Sequence, residues 1–177
     1  MKAHRPPSER ARRAMIRVDQ AGEYGATRIY AGQLAVLGAS GPGAKDIAHM
    51  AEQERRHLEW FNAAMARRGV RPTLLQPLWH VAGFGLGAAT AAIGPEAAMA
   101  CTVAVETEID RHYAQQLEEL GDSDPELSAA INDFREEELE HRDHALEAGA
   151  ERAPAYPLLS LAIRAACRLA IATSQRI

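Results

Sequence analysis

The amino-acid sequence predicts an all-α fold, a four-helix bundle with two additional apolar helices. Glycine and proline break the chain into long segments, and in most of them apolar residues recur at the three- to four-residue spacing of an α-helix. Two copies of a Glu-x-x-His motif, Glu54 with His57 and Glu138 with His141, lie in line with these apolar positions and so point into the predicted core. No alternation of strand-like and helix-like segments occurs, which argues against an α/β fold.

The first two predicted helices are bounded by glycine. The first covers about residues 8–37 and stops at Gly38, ahead of a Gly-Pro-Gly breaker. The second covers about residues 44–68 and has Gly69 in the C-cap position. A proline-bearing linker, residues 70–77, follows and is too long for a tight turn.

Residues 78–93 form the most apolar predicted helix. No charged residue occurs from Val81 to Gly94, and this length is short of the roughly 20 residues that span a bilayer. The segment fits either a helix at a membrane interface, with Trp79 at its edge, or a core helix of the bundle. Its Gly-x-Gly-x-x-Ala run superficially matches a dinucleotide fingerprint, but no strand precedes it, so that interpretation is excluded.

The fourth and fifth predicted helices have clear end signals. Pro95 follows a glycine and begins the fourth helix, which ends at Gly121. Asp124 is the expected N-cap of the fifth helix, and Gly149 closes it.

Residues 157–174 form the sixth predicted helix, which is apolar except for Arg164 and Arg168. These two lie four residues apart and so on one face, opposite much of the leucine-rich surface. The pattern fits a helix lying in a membrane interface, and equally an amphipathic helix packed on the bundle. Residues 78–93 and 157–174 are therefore the two candidate membrane-interface helices.

Length and composition restrict the class of protein further. A chain of 177 residues predicts a single domain, residues 1–177. The net charge of −4 argues against a general nucleic-acid binder, which would be basic. Two cysteines without a C-x-x-C spacing indicate neither an iron–sulfur cluster nor a disulfide framework, and Cys101 is expected to be a small core residue. The basic N-terminal stretch lacks the apolar core of a signal peptide, so an unprocessed cytoplasmic start is expected.

The two Glu-x-x-His motifs belong to a repeat. Each is preceded by a single glutamate on an apolar helical face: Glu23 lies 31 residues before Glu54, and Glu106 lies 32 residues before Glu138. The chain is therefore predicted to form two helix hairpins, each offering one glutamate from its first helix and Glu-x-x-His from its second. One such motif alone would be a weak signal, because charged helices produce it by chance, but two matched copies are a strong one.

Such a bundle brings four glutamates and two histidines to one centre, the ligand set of ferritin-like di-iron and di-manganese carboxylate proteins. The predicted metal ligands are Glu23, Glu54, His57, Glu106, Glu138 and His141. Burying an unpaired carboxylate costs several kcal/mol, and two divalent ions neutralise four of them. Oxygen-rich ligation with one nitrogen per metal and no thiolate fits iron or manganese better than structural zinc.

Three more residues are predicted to support these ligands. Gln53 and Glu137 directly precede the motif glutamates and are placed to orient a ligand histidine, with ordinary helix surface as the alternative. Tyr113 faces the core, where it borders a substrate, relays electrons or is an ordinary buried tyrosine. His112 and His144 are expected to be surface or supporting histidines rather than further ligands.

Several stretches taken together are specific to one known family. They are Ala21-Gly22-Glu23-Tyr24-Gly25-Ala26, Arg71-Pro72-Thr73 with Pro77-Leu78-Trp79, Met99-Ala100-Cys101-Thr102-Val103-Ala104-Val105-Glu106, Glu137-Glu138-Leu139-Glu140-His141 and Ala153-Pro154-Ala155-Tyr156. In these stretches the sequence closely resembles the demethoxyubiquinone hydroxylase family of ubiquinone biosynthesis, from about Arg13 onward. No departure occurs at the six predicted ligand positions.

This resemblance implies a membrane-associated di-iron monooxygenase, with two Fe²⁺ ions, that hydroxylates the ring of 5-demethoxyubiquinol, a 2-methoxy-6-polyprenyl-benzoquinol. The redox chemistry belongs to the metal, so no side chain beyond the ligands is assigned as general acid or base. The implied partners are the polyprenyl quinol, O₂, a membrane surface and an external electron donor, but no nucleic acid. The implied location is peripheral, on the cytoplasmic face of the bacterial inner membrane. Contacts with other ubiquinone-biosynthesis proteins and a homo-oligomer are left open.

Three other functions fit parts of the pattern. Iron storage or detoxification on the same ligands would require a closed oligomeric shell and no apolar channel, and the charge-free segment argues against it. A di-iron hydroxylase acting on tRNA would need a basic groove, which the net charge disfavours. A purely structural bundle would not place four glutamates on apolar faces.

Overall fold

A computed structural model describes residues 6–177, and within this range the chain forms six α-helices and no strand. The helices are α1 (Glu9–Leu37), α2 (Ala44–Arg68), α3 (Gln76–Ile93), α4 (Pro95–Leu120), α5 (Pro125–Glu147) and α6 (Tyr156–Ser174), with a 3₁₀ turn at Ala150–Arg152. The predicted ferritin-like all-α bundle with two extra helices is confirmed. That residues 1–177 form a single domain stays a prediction, and residues 1–5 of it lie outside the described range.

The packing follows the repeat that the sequence showed. α1 packs against α2, and α4 packs against α5, which gives the two expected hairpins. α3 then lies along α1, and α6 lies along α4. Each half of the bundle therefore consists of a ligand-bearing hairpin and one apolar helix on its outside.

The capping signals account for most of the helix ends. The Asp124 side chain accepts a hydrogen bond from the Leu127 backbone N–H at 3.2 Å, as an N-cap residue does. Gly69 ends α2 in the left-handed conformation, with φ at 61°. α3 begins at Gln76, inside the expected linker of residues 70–77, because proline is tolerated in the first turn of a helix.

α1 and α3 approach each other through glycine. A Cβ atom on Gly32 would overlap the Phe84 carbonyl oxygen, and one on Gly87 would overlap that of Ile29. Only glycine permits this approach of two backbones. α3 therefore turns its glycine side to α1 and its large apolar side chains outward, and Val81 is 69% exposed. This arrangement differs from the core helix that the sequence left as an alternative.

α6 turns its charged side toward the bundle. Arg164 Nε donates to Glu108 Oε1 on α4 at 2.6 Å, and Arg168 Nη1 lies 3.8 Å from the same oxygen. Glu108 is buried, so the two arginines supply the charge that it requires. The large side chains on the outer side of α6 are exposed: Leu158, Leu161 and Leu169. The helix packs on the bundle through Ile163, which is 4% exposed, with the two arginines beside this contact and the leucines on the opposite side.

By length and composition, α6 is also the one helix in the described part of the chain that is long and apolar enough to cross a membrane. The most apolar 18-residue stretch of this helix has a mean hydropathy of 1.3, and 11% of that stretch is buried. In this structure the helix lies along α4 through the Glu108 contacts.

Candidate metal centre

Six side chains from four helices meet in the middle of the bundle. They are Glu23 from α1, Glu54 and His57 from α2, Glu106 from α4, and Glu138 and His141 from α5. None is more than 3% exposed. The structure thus brings together all six residues that the sequence singled out as ligands.

These side chains form two overlapping groups. The groups are Glu23, Glu54, His57 and Glu138, and then Glu54, Glu106, Glu138 and His141. Within each group, one ligand atom from every residue lies within 4.8 Å of the others. Glu54 and Glu138 belong to both groups. Two groups that share carboxylates are the arrangement of a dinuclear carboxylate site.

Glu138 lies between the two histidines. Its Oε1 is 3.2 Å from His57 Nδ1, and its Oε2 is 3.1 Å from His141 Nδ1. Both rings therefore turn Nδ1 to the centre and leave Nε2 facing away. A carboxylate that offers one oxygen to each side is suited to bridge two ions.

Several polar atoms of the centre have no protein partner. Buried without a hydrogen bond are Glu23 Oε2, both carboxylate oxygens of Glu54, His57 Nδ1, Glu106 Oε2 and Glu138 Oε1. Buried polar atoms are nearly always paired in folded proteins, and an unpaired buried charge costs several kcal/mol. Divalent cations satisfy all of these atoms at once, so the centre can hold metal.

The pKa values in the centre reflect the same shortage of positive charge. Burial and the charge of Glu138 raise the pKa of Glu54 and of Glu106. Burial opposes charge on His57, but the neighbouring carboxylates, that of Glu138 first, outweigh it and raise its pKa to about 10. Burial would also raise the pKa of Glu138, yet the hydrogen bond with His141 and the nearby His57 outweigh it and bring this pKa to about 2. Without metal the centre must hold protons, which divalent ions replace.

Gln53 and Glu137 connect the two histidines across the bundle. Glu137 Oε2 on α5 lies 3.1 Å from His57 Nε2, and Gln53 Oε1 on α2 lies 3.0 Å from His141 Nε2. Gln53 Nε2 donates to Glu137 Oε2 at 3.0 Å, and Arg56 pairs with the same oxygen at 3.0 Å. Each of the two residues thus contacts the histidine of the opposite motif, which the helix-surface alternative does not describe.

Two tyrosines form hydrogen bonds with Glu23 and Glu106, the two glutamates that each belong to only one of the groups. The Tyr113 hydroxyl donates to Glu23 Oε1, and the Tyr30 hydroxyl donates to Glu106 Oε1 at 3.1 Å. The sequence prediction included Tyr113 but not Tyr30. The signal was present in the repeat, because each tyrosine lies seven residues after the lone glutamate of its own hairpin. In the fold it contacts the glutamate of the other hairpin.

Neither His112 nor His144 joins the two groups. His112 Nε2 lies 3.3 Å from Oδ1 of the buried Asp19, and burial raises the pKa of that aspartate. His144 is about half exposed and lies 3.4 Å from Asp46. Both are therefore placed as the sequence led us to expect, outside the proposed ligand set.

An apolar pocket lies between α1, α3, α4 and α6. It encloses about 760 Å³ including its open mouth, and Gly22 and Val105 in its wall are the sequence neighbours of Glu23 and Glu106. A Cβ atom on Gly22 or Gly25 would meet no other atom within 4 Å. The glycines beside Glu23 therefore leave open space in the pocket wall.

The fold and the site together define a class: a ferritin-like helix bundle whose buried glutamates and histidines can hold metal. Comparison with known proteins then gives the family. Residues 10–174 match the family model described as ubiquinone biosynthesis protein COQ7, so the chain belongs to this family. The resemblance found in the sequence is thereby confirmed.

Curated relatives carry names that agree with this family. The chain is 56% identical over 162 residues to a 3-demethoxyubiquinol 3-hydroxylase of Rhodospirillum rubrum, covering 92% of this chain and 76% of the relative. It is 54% identical over 167 residues to the mitochondrial NADPH-dependent 3-demethoxyubiquinone 3-hydroxylase of Homo sapiens, with the same two coverages of 92% and 76%. It is 44% identical over 179 residues to the mitochondrial 5-demethoxyubiquinone hydroxylase of Saccharomyces cerevisiae, covering 92% and 77%.

Proposed function

We propose that this protein is a di-iron monooxygenase that hydroxylates the ring of 5-demethoxyubiquinol in ubiquinone biosynthesis. One observation carries the proposal: six buried ligand-type side chains form two groups that share Glu54 and Glu138. The substrate class is supported by the relatives, which are named as hydroxylases of demethoxyubiquinol or demethoxyubiquinone.

In the proposed enzyme the two groups would hold two Fe²⁺ ions. Glu23 and His57 would serve one group, Glu106 and His141 the other, and Glu54 and Glu138 belong to both. When bound, a pair of ferrous ions supplies the two electrons that insertion of one oxygen atom from O₂ requires. An external donor must return these electrons, and the human relative's name, NADPH-dependent, supports a reduced nicotinamide as their source.

The remaining polar residues hold the ligands in place. Glu137 and Gln53 accept the outward ring N–H groups and so fix the orientation of both histidines. Tyr30 and Tyr113 each occupy one oxygen of a glutamate and leave its other oxygen for metal. The low exposure of all six ligands keeps bulk water away from the reacting ring.

The apolar pocket is the proposed quinol site. None of the six ligand residues lines it, but Gly22 and Val105 in its wall adjoin Glu23 and Glu106 in the sequence, so α1 and α4 carry both the pocket and the centre. Within the wall, Trp79 Nε1 donates to Ser174 Oγ at 3.0 Å, so these two polar groups satisfy each other. The pocket therefore suits an apolar tail better than an ion or a sugar. An open apolar pocket is also what an iron-storage protein does not need, and this disfavours that alternative.

Residues 78–93 and 157–174 are the proposed contacts with the membrane. A quinol with a polyprenyl tail resides in the bilayer, and the pocket lies between the two helices that contain these segments. Their outward apolar side chains support the proposal, since Val81 is 69% and Leu158 is 67% exposed. The cytoplasmic face of the bacterial inner membrane remains the proposed location, with a homo-oligomer or other ubiquinone-biosynthesis proteins as further partners.

Reconstitution tests the proposal directly. The metal-free protein is loaded anaerobically with Fe²⁺, given a reductant, O₂ and a demethoxyquinol, and the product is identified by mass spectrometry. We expect two iron ions per chain and a product heavier by one oxygen atom. Glu138→Ala should abolish both results, whereas Glu136→Ala, an exposed neighbour on α5, should leave them unchanged. Activity retained in Glu138→Ala, or no iron bound by the unmodified protein, would contradict the proposal.

A further inference from the structure

A second pocket opens to solvent between α2 and α5. Neither of these helices lines the apolar pocket. The second pocket encloses about 520 Å³ including its open mouth. Its polar lining residues are Asp46, His49, Gln53, Glu140, His141 and His144. The inner wall thus includes His141, one of the six residues of the centre.

The outer part of this pocket carries side chains of the metal-binding type. Asp46 and His49 lie three residues apart on α2, and Glu140 and His144 lie four apart on α5, so each pair occupies one helical face. His144 Nε2 lies 3.4 Å from Asp46 Oδ2, so one donor from each helix meets at the pocket mouth, while the closely grouped donor sets are those of the buried centre. Oxygen and imidazole donors of this kind suit Fe²⁺.

The inner part leads to the buried centre. Gln53 follows His49 by one helical turn and bonds both His141 and Glu137. The Gln53 side chain therefore stands between His49 and the ligand His141 in the pocket lining. His141 is buried and its Nε2 faces this side, while its Nδ1 faces Glu54 at 3.3 Å and Glu138 at 3.1 Å.

We propose that this pocket is the uptake route for the metal ions. Asp46, His49, Glu140 and His144 capture a hydrated divalent cation at the surface, and it then passes Gln53 to reach the centre. The inference rests on the dinuclear metal site of the proposed function. The four outer residues form a transit site, separate from the six ligands.

Two physical arguments favour this route over the apolar pocket. A hydrated cation that crosses an apolar wall loses water without gaining ligands, which is strongly unfavourable. In the pocket between α2 and α5, the cation can instead replace its water ligands one at a time with side-chain donors. In addition, His49, Glu140 and His144 are exposed and Asp46 is about half exposed. Exposed, mobile donors bind an ion more weakly than a preformed buried site, so the transit site can release what it captures.

Stopped-flow uptake of Co²⁺ by the metal-free, full-length protein tests the route, because bound Co²⁺ is followed by its absorbance. The test variant is Asp46→Asn/Glu140→Gln/His144→Gln, and its circular dichroism is compared with that of the unmodified protein. The control, Glu118→Gln/Asp122→Asn, removes the same number of exposed carboxylates from the other end of the molecule. We expect the test variant to take up Co²⁺ about 10-fold more slowly and the control to match the unmodified protein.

The amount of Co²⁺ bound at equilibrium tests the dinuclear site, and the rate of Co²⁺ uptake tests the route. Two Co²⁺ ions per chain at equilibrium in all three proteins, with slow uptake only in the test variant, supports the route. An unchanged rate in the test variant overturns it, and so does equal slowing in the control, because the effect is then general charge attraction. No Co²⁺ at equilibrium in the unmodified protein contradicts the dinuclear site itself and removes the basis of the route. If the triple variant does not fold, the single exposed change His144→Gln is measured in the same way, and an unchanged rate there overturns the route.

Discussion

Glu137 Oε2 lies 3.1 Å from His57 Nε2, the ring nitrogen that faces away from the proposed metal site. A carboxylate at this nitrogen fixes the tautomer that presents Nδ1 as a ligand, and it makes the imidazole a stronger donor. Gln53 and Arg56 both bond the same carboxylate oxygen, so the position of Glu137 is itself fixed. The orientation of His57 is therefore set by the protein before an ion binds.

Replacing Glu137 should weaken metal binding without removing a ligand. We expect Glu137→Ala to lower the affinity for divalent metal by about 10- to 100-fold, measured by competition with a chelator. Glu136→Ala is the control, since Glu136 is exposed and its side chain bonds Asn132. Equal affinities of the two variants would show that Glu137 has no orienting role.

The tyrosine contacts should contribute to stability. Tyr113→Phe removes the donor to the buried Glu23, and a hydrogen bond to a charged group is worth about 1.5–3 kcal/mol. We expect the free energy of unfolding of the metal-loaded protein in urea to fall by that amount. Tyr24→Phe removes a less buried bond to His80 and should cost less than about 1 kcal/mol. A loss at Tyr24 that equals the loss at Tyr113 would count against the proposed support of Glu23.

Filling the apolar pocket should separate substrate binding from metal binding. Gly22→Leu places a side chain in the open space beside Glu23, so we expect a higher KM for the quinol and an unchanged metal content. Gly22→Ala should instead stabilise the helix by about 1 kcal/mol. Gly85→Leu is the matched control, because Gly85 on α3 also has open space but lies outside the pocket wall. An unaltered KM in Gly22→Leu would place the quinol elsewhere.

The metal-free protein should become less stable as the pH rises. The folded-state pKa values of His57, Glu54 and Glu106 are raised, that of His57 to about 10, so the folded chain binds more protons than the unfolded chain. The stability from His57 is complete below about pH 6.5 and is lost as the pH rises through 10. The lowered pKa of Glu138, about 2, affects stability only under acid conditions.

Melting temperatures between about pH 6.5 and 9 test this expectation. They should fall with rising pH in the metal-free protein. With Mn²⁺ present the trend should reverse, because the ligands bind metal only after losing their protons. A melting temperature of the metal-free protein that rises with pH over this range would contradict the expectation.

Membrane binding should depend on the outward apolar side chains of α3 and α6. Val81→Asp/Leu158→Asp should reduce flotation with phospholipid vesicles by about 10-fold or more, since each change replaces exposed apolar surface, which the membrane would cover, with a charge. Val36→Asp at the end of α1 is the control, as Val36 is exposed but lies outside both segments. Equal flotation of both variants would place the membrane contact on another surface.

The sequence predicted the helices and the six candidate ligands because both depend on local spacing. Glu54 and His57 lie one helical turn apart wherever the helix packs, and glycines mark the helix ends. The sequence did not predict which side of α6 faces the bundle. Arg164 and Arg168 resemble a solvated face until Glu108 on α4 is placed opposite them, and this pairing of distant segments has no signature in either helix.

The contact between Tyr30 and Glu106 was missed for the same reason, because the two residues are 76 positions apart. Only comparison of the two halves of the chain reveals it. The two pockets were beyond prediction as well, since the first needs four helices in place around it and the second lies between α2 and α5, which are distant in the sequence.

If two ions share Glu54 and Glu138, as proposed, we expect partial loading to be unfavourable. The first ion would order both common carboxylates, and the second would then bind to groups already in position, which is positive cooperativity. When iron is scarce, most molecules should then hold either no iron or two iron ions, and few should hold one. An iron shortage would then lower the number of fully loaded molecules, and each of these would keep its full activity.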